Sequence, residues 1–191
     1  MVTYKILLSI LLSSIIGWTN AQELTIGNFS YKDNLVTWQK VFDSDLSIEE
    51  MKSKAKTLPI INQIISEDEN SLTIDCKGID HDFRALGGTE MNTTIWVSRK
   101  TSNGIVVFQF KEGRYRVTFT NIILEQEYTV NAGMLTEKEG ERDPLAVYAL
   151  KNNRSNWRGL FKKKDYKILD YTYSKVFDLS SGSSSILDDD F

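Results

Sequence analysis

The segment VVFQFKEGRYRVTF, residues 106–119, constrains the fold most, because apolar and polar residues alternate on both sides of a Glu-Gly pair. Strict alternation is typical of β-strands, whose successive side chains point to opposite faces. With Glu112 and Gly113 as a two-residue loop, the segment forms an antiparallel hairpin. One face then carries three apolar pairs: Phe110 with Tyr115, Phe108 with Val117, and Val106 with Phe119. The segment therefore predicts a sheet with one buried face.

The opposite face of this hairpin collects positive charge near the loop. Lys111 stands across from Arg114, and Gln109 stands across from Arg116. We call Lys111, Arg114 and Arg116 the cationic end. Like charges directly opposite each other on paired strands repel. The pattern therefore predicts an acidic group, inside or outside the chain, that compensates them.

Two interpretations of the cationic end remain open. It is either a solvent-exposed sheet surface, balanced by Glu112 and Glu125, or a shallow ligand-binding patch that includes Gln109. In the second case the ligand is a carboxylate, a phosphate or an acidic glycan, because the planar arginine fork suits such oxyanions.

A strand followed by a helix is predicted before the hairpin. Residues 34–42 alternate, and Ser47 with Glu50 three positions later forms the capping box of a helix start. Apolar residues at helical spacing continue to Leu58, and Pro59 ends the helix.

Further strands are predicted between this helix and the hairpin. Residues 71–76 alternate, and a change of apolar phase at Gly78 indicates a bulge. Residues 92–100 and 104–110 are predicted to form a hairpin around Asn103-Gly104, a pair that favours tight turns. Two registers of this hairpin remain open, with either Val97 or Trp96 opposite Phe110.

The C-terminal part is predicted to be helical. Residues 125–141 are polar and contain glycine, which is typical of a surface connection. Asp143 and Pro144 suit the cap and first position of a helix over residues 144–151. One or two further helices follow from apolar residues at helical spacing: Trp157, Leu160 and Phe161, then Leu169, Tyr173, Val176 and Phe177.

The N-terminus is predicted to be a cleaved signal peptide. A short charged start, the apolar run ILLSILLSSII, and small residues at Thr19 and Ala21 indicate cleavage after Ala21. No apolar run reaches the ~20 residues of a membrane span. The only cysteine, Cys76, is too far downstream to carry a lipid at the cleavage point. The protein is therefore expected in the periplasm or outside the cell.

These elements predict one α+β domain, with about five antiparallel strands, a helix after the first strand and C-terminal helical cover. The domain covers residues 34–179, preceded by a signal peptide over 1–21 and an N-terminal segment over 22–33. Residues 180–191, SSGSSSILDDDF, form an acidic tail of flexible composition. The 191-residue chain has a net charge of −3, which argues against nonspecific nucleic-acid binding.

Three segments carry a resemblance to a known family: VTWQKVF, DLSIEEMKSKAK and, above all, GIVVFQFKEGRYRVTFTNI. They are similar to a family of exported bacterial domains of unknown function with a TATA-binding-protein-like fold. The resemblance covers roughly residues 35–123. It implies a curved antiparallel sheet with a closing helix, and it implies no activity. A fold shared with a DNA-binding protein is no evidence for DNA binding.

Residues suited to catalysis are few. The only histidine, His81, lies between Asp80 and Asp82, but alternation in a strand would place both aspartates on the opposite face. We therefore interpret His81 as structural or solvated, and Cys76 as a small core residue. Phosphate-loop, nucleophile-elbow and paired-cysteine motifs are absent from the sequence, so no enzyme, metal or cofactor is expected.

The sequence thus favours a noncatalytic binding or assembly module of the bacterial cell envelope, with an envelope protein or anionic glycan as partner. The alternatives are a small hydrolase that acts through carboxylates and a purely structural envelope subunit. A second basic cluster is formed by Lys162, Lys163 and Lys164. It is either the solvent-exposed side of a helix or a weak contact site for anionic membrane headgroups.

Overall fold

The structure, a computed structural model, describes residues 23–132 and 135–180. The predicted signal peptide and residues 181–191 of the predicted tail lie outside the described residues. Within the described residues there are eight strands: β1 (Leu24–Ile26), β2 (Phe29–Lys32), β3 (Leu35–Asp43), β4 (Ile61–Asp68), β5 (Ser71–Ile79), β6 (Thr101–Lys111), β7 (Arg114–Ala132) and β8 (Leu135–Pro144). The same part of the chain contains four α-helices: α1 (Ile48–Lys56), α2 (Ile95–Arg99), α3 (Leu145–Ala149) and α4 (Tyr166–Val176). A 3-10 turn covers Arg84–Leu86, and a π-helical turn, Phe161–Asp165, leads into α4.

The strands form one open, curved, antiparallel sheet, so the mixed α+β class is confirmed. Its order is β1-β2-β3-β7-β6-β5-β4. β3 pairs with β7 from Arg114 to Phe119, and β8 pairs with β7 from Ile123 onward. Because β6 pairs with the other edge of β7, β3 and β8 follow each other along the same edge. The sheet is larger than predicted because β1, β2, β4 and β8 were not expected as strands.

The register of the Glu112-Gly113 hairpin is confirmed. All three apolar pairs form as predicted, and Lys111 pairs with Arg114 and Gln109 with Arg116. Gly113 has a φ of 73°, the left-handed conformation that such a tight loop requires. Local sequence therefore determines both the turn and the face to which each side chain points.

The helix after β3 is also confirmed. The Ser47 side chain and the Glu50 side chain each bond the other's backbone N–H, which completes the predicted capping box. The helix ends with Thr57 as its C-cap, two residues before Pro59. Met51 and Ala55 are fully buried against the sheet.

The predicted hairpin at Asn103-Gly104 is wrong. Residues Ile95–Arg99 form helix α2, and Asn103-Gly104 lies inside β6 at an irregularity opposite β7. The Asn103 side chain accepts a hydrogen bond from the Gly78 backbone N–H (2.7 Å) and donates to Glu125. Asn103 thus links the predicted bulge in β5, which is confirmed, to the neighbouring strands. Both register alternatives predicted for this hairpin are therefore wrong as well.

Gly104 is required here by close packing rather than by a turn. Its φ is 152°, and a Cβ at this position would lie 2.7 Å from the Asn121 carbonyl oxygen and 2.9 Å from the Phe119 ring. A larger residue could not fit without moving the β7 backbone. The Asn-Gly pair therefore marks a close strand contact.

Two predictions for the C-terminal half are also wrong. The segment 125–141 was predicted to be a surface connection, but residues 125–132 continue β7 and residues 135–141 belong to β8. Asp143 does not cap the next helix, which begins at Leu145 after Pro144. The Asp143 carboxylate instead accepts a 2.6 Å hydrogen bond from the Tyr148 hydroxyl. The helix itself, and the helical segment that follows Trp157, are confirmed.

An aromatic layer joins α4 to the inner face of the sheet. Tyr173 lies 5.7 Å from Trp38 and 5.0 Å from Phe119 between ring centroids, in edge-on arrangements. Phe177 contacts the same two rings at 5.7 and 5.8 Å. All four side chains are fully buried. Edge-on aromatic pairs add about 0.5–1.5 kcal/mol beyond the area they bury, so this layer stabilises the packing of the C-terminal helical segment on the sheet.

Candidate functional site

The cationic end lies on the sheet face opposite this aromatic layer. Lys111, Arg114 and Arg116 are exposed, and so is Gln109 beside them. Alternation explains the placement, because Tyr115 between the two arginines is buried on the inner face. The structure therefore brings all four predicted site residues to one surface.

Gln109 holds the Arg116 guanidinium in place. Its amide oxygen accepts hydrogen bonds from Arg116 Nε at 2.9 Å and from Arg116 Nη2 at 2.6 Å. The acceptor is neutral, so the guanidinium is oriented while its charge is retained. Nη1 and the remaining hydrogens are directed away from this acceptor and can bind an oxyanion.

Among the described side chains, no acid pairs with the cationic end. Strand β3 places Asp43 across from Arg114, but among these residues no carboxylate lies within 4.0 Å of a cation of the cationic end. Glu125, one of the two predicted partners, bonds to Asn103 and lies 3.6 Å from Arg142. Glu125 therefore interacts with Asn103 and Arg142 and not with the cationic end.

The sheet surface next to the cationic end is polar and hydrogen-bonded across strands. Gln39 donates to Thr118 at 2.9 Å, and Thr37 lies 3.4 Å from Thr120 between their hydroxyl oxygens. Val41 on β3, opposite Arg116, is 53% exposed. The face can thus present hydrogen-bonding groups, one apolar side chain and three cations to a ligand.

His81 lies in a different part of the molecule and is fully hydrogen-bonded. Nδ1 lies 2.9 Å from the Val97 carbonyl oxygen, which can only accept, so Nδ1 carries the proton. Nε2 then accepts from the Ser102 hydroxyl at 2.8 Å, and the Tyr173 hydroxyl lies 2.7 Å from the same Ser102 oxygen. Burial lowers the pKa of His81 to about 4.

The buried hydrogen bonds that link His81, Ser102 and Tyr173 have a structural explanation. Ser102 and Tyr173 are completely buried, so neither hydroxyl can reach a substrate without rearrangement. A polar cavity of about 270 Å³ does border His81, and its lining includes Asp80, Asp82 and Glu90. The Asp82 carboxylate accepts a 3.1 Å hydrogen bond from the Lys175 ammonium. The three bonded groups connect α4, β6 and the segment after β5.

Cys76 and the second basic cluster, the two other candidates from the sequence, both make contacts within the protein. Cys76 is buried, and burial raises the pKa of its thiol to about 12, so it stays protonated. In the second basic cluster, the Lys164 ammonium bonds to the Asn92 carbonyl at 2.6 Å, whereas Lys162 and Lys163 are exposed. The structure therefore ties one of the three lysines to the protein itself.

Within residues 23–132 and 135–180, no group of three or more His, Cys, Asp or Glu side chains is arranged to hold a metal ion. In the same residues, no helix has both the length and the apolar character needed to cross a bilayer.

No protein-family model, curated protein or solved structure matches this chain.

Sequence reasoning missed a third group of cations: Lys151, Arg154 and Arg158. They occur in the polar stretch KNNRSNWR, which has neither helical nor strand periodicity. Only the closure of this loop brings them together around a cavity. Their charge was the one available signal, since no acidic residue interrupts the stretch.

Proposed function

We propose that this chain is a noncatalytic, exported binding or assembly module that recognises an anionic component of the bacterial cell envelope through its cationic end. The ligand is an acidic glycan or an acidic segment of an envelope protein. Within this proposal, the signal peptide delivers the protein to the periplasm or beyond, and the fold is of the TATA-binding-protein type. The exposed lysines Lys162 and Lys163 would add weak contact with anionic headgroups, about 1 kcal/mol each when close.

One observation carries the proposal. Three exposed cations share a sheet face, and the described carboxylates leave them without an ion-pair partner. Placing Lys111 opposite Arg114 costs repulsion energy that an external anion would relieve. The Arg116 guanidinium is already oriented by Gln109, so less conformational entropy is lost on binding.

A noncatalytic role is supported by the state of the reactive groups. The Cys76 thiol and the Ser102 hydroxyl next to His81 are buried. Asp165, whose pKa is raised by burial, is also buried, and its carboxylate accepts a 2.7 Å hydrogen bond from Thr94. The carboxylate-hydrolase alternative requires acids that converge on an open pocket.

The test is a binding comparison with the tagged protein lacking residues 1–21. Wild type, Arg116→Glu and the control Lys77→Gln would be applied to an acidic glycan array and to the envelope fraction. Lys77 is an exposed cation on β5, outside the cationic end. We expect Arg116→Glu alone to lose binding, at an unchanged melting temperature. Unchanged melting together with unchanged binding would rule the proposal out.

A further inference from the structure

A second cationic site, open to solvent, lies between α3 and the loop that follows it. The cavity has a volume of about 230 Å³. Its lining includes Lys151, Arg154 and Arg158 and contains no acidic residue. We call it the arginine pocket. Three cations around one cavity repel each other, so a bound anion would stabilise the arrangement.

Neutral oxygens hold the two guanidinium groups. Arg158 Nε donates to the Leu150 carbonyl at 2.7 Å, and its Nη2 donates to the Asn152 side chain at 3.1 Å. Arg154 Nη1 donates to the Asn34 side chain at 3.0 Å. Each guanidinium has five N–H donors, so several remain for a ligand on each arginine. The groups are oriented without being neutralised, which is the condition for anion recognition.

The loop that carries these residues is closed by backbone hydrogen bonds. Arg158 N donates to the Ala149 carbonyl at 2.7 Å, and Lys151 N donates to the Asn156 carbonyl at 2.9 Å. Arg154 has a φ of 53°, a left-handed conformation in which glycine or asparagine is less strained than arginine. The fold thus holds an arginine where its backbone is unfavourable, a pattern found at functional sites.

The remaining wall of the pocket determines the ligand class. Ala146, Val147 and Leu150 are apolar, and Val147 is 46% exposed. A ligand that fits this wall carries a small apolar group next to its negative charge. Buried apolar area would then add to the charge-assisted hydrogen bonds.

We infer that the arginine pocket binds a small organic oxyanion, a carboxylate, phosphate or sulfate attached to a compact apolar group. This site is independent of the cationic end. Asn34 lies directly before β3, and Asp43, opposite Arg114, lies at its end. Nine strand residues separate the two ends by about 30 Å, at about 3.3 Å per residue.

The experiment uses the protein lacking residues 1–21 and two probes, inorganic phosphate and phenyl phosphate, titrated at constant ionic strength. Amide chemical shifts would be followed by NMR for wild type, Arg154→Gln, Lys151→Gln and the control Arg116→Gln. We expect saturable shifts in the loop around residues 150–158, with phenyl phosphate binding more tightly. Either pocket variant should weaken binding about tenfold, equivalent to about 1.4 kcal/mol, and the control by less than about twofold.

Two outcomes would overturn the inference. One is the absence of saturable binding of either probe to the wild type. The other is an equal loss in Arg116→Gln, which would move the anion site to the cationic end. If Arg154→Gln alters the melting temperature, the binding result of Lys151→Gln is used in its place. Among the described residues the Lys151 side chain makes no hydrogen bond whose loss could disturb the loop. Equal affinity for the two probes would contradict the apolar part of the ligand.

Discussion

The two faces of the central strand β7 differ in what they contribute. Tyr115, Val117 and Phe119 are at most 1% exposed and pack beneath α4. Arg114 and Arg116, which alternate with them, are exposed on the other face. One alternating sequence therefore supplies the apolar packing of the domain and, on the reverse side, a surface whose charges the described part of the chain does not neutralise. Sensitivity to substitution should accordingly change at every residue along this strand.

The largest effect is expected from Phe119→Ala, compared with Thr118→Ala next to it. Phe119 loses its contacts with Tyr173 and Phe177, and the buried ring leaves a cavity. Such substitutions cost about 3–5 kcal/mol. Thr118 loses one exposed hydrogen bond with Gln39, which should cost less than about 1 kcal/mol. Urea unfolding followed by circular dichroism measures both, and similar losses would contradict the assignment of the two faces.

The second prediction concerns pH and the buried His81 on the covered side. The folded pKa is about 4 and the ordinary value is 6.5. Between these values the unfolded chain binds more protons, so the free energy of unfolding falls as the pH is lowered from 6.5 toward 4 and is unaffected by this group above that window. The loss by pH 4.5 should be about 2–3 kcal/mol.

Unfolding of wild type and His81→Gln at pH 7.0 and pH 4.5 tests this expectation. The variant should be less stable at pH 7.0, because glutamine cannot reproduce both hydrogen bonds, yet lose less stability on acidification. Carboxylates such as Glu50 and Glu67, whose pKa values are lowered by hydrogen bonds, respond to acid equally in both proteins. Parallel losses in the two proteins would mean that His81 is not the group that titrates.

The third prediction compares the same substitution on the two faces. Lys40 lies on the covered face, where its ammonium donates to Ser174 at 2.8 Å and lies 5.0 Å from the centre of the Phe42 ring. Replacing Lys40 by Met should cost about 1 kcal/mol through the lost hydrogen bond and cation–π contact. Lys111→Met should leave stability nearly unchanged, or raise it slightly by removing repulsion from Arg114. Thermal melts at several salt concentrations separate the two, and a larger loss from Lys111→Met would contradict the comparison.

How far the sequence determined the fold depended on how local the signals were. The register of the Glu112-Gly113 hairpin and the Ser47 capping box could be predicted because neighbouring residues specify them. Trp96 and Val97 were wrongly predicted to lie in a strand, because a short apolar run suits a strand or a helix equally well. The Asn103-Gly104 pair misled because its turn propensity is overridden by contacts with Gly78 and β7, which are distant in sequence.

The same distinction applies to the sites. Alternation alone placed the cationic end on one face, since strand neighbours are fixed by the hairpin register. It could not show that Glu125 is bonded to Asn103, because the irregularity in β6 changes the local pairing. The arginine pocket depends on contacts between Arg154 and Asn34, 120 residues apart, which no local pattern encodes.

The smallest effect on stability, and the sharpest test of the open face, is expected at Gln109. Its amide only orients Arg116, so Gln109→Ala should change the free energy of unfolding by less than about 0.5 kcal/mol. Ligand binding should weaken severalfold, because the guanidinium must then be ordered on binding. Gln109→Glu separates orientation from charge: it keeps the acceptor but places a carboxylate beside Arg116, and so should stabilise the fold slightly while weakening anion binding more than alanine does. If glutamate binds the ligand as well as the wild type, the positive charge of Arg116 is not what the ligand recognises, and the open face is a solvated surface.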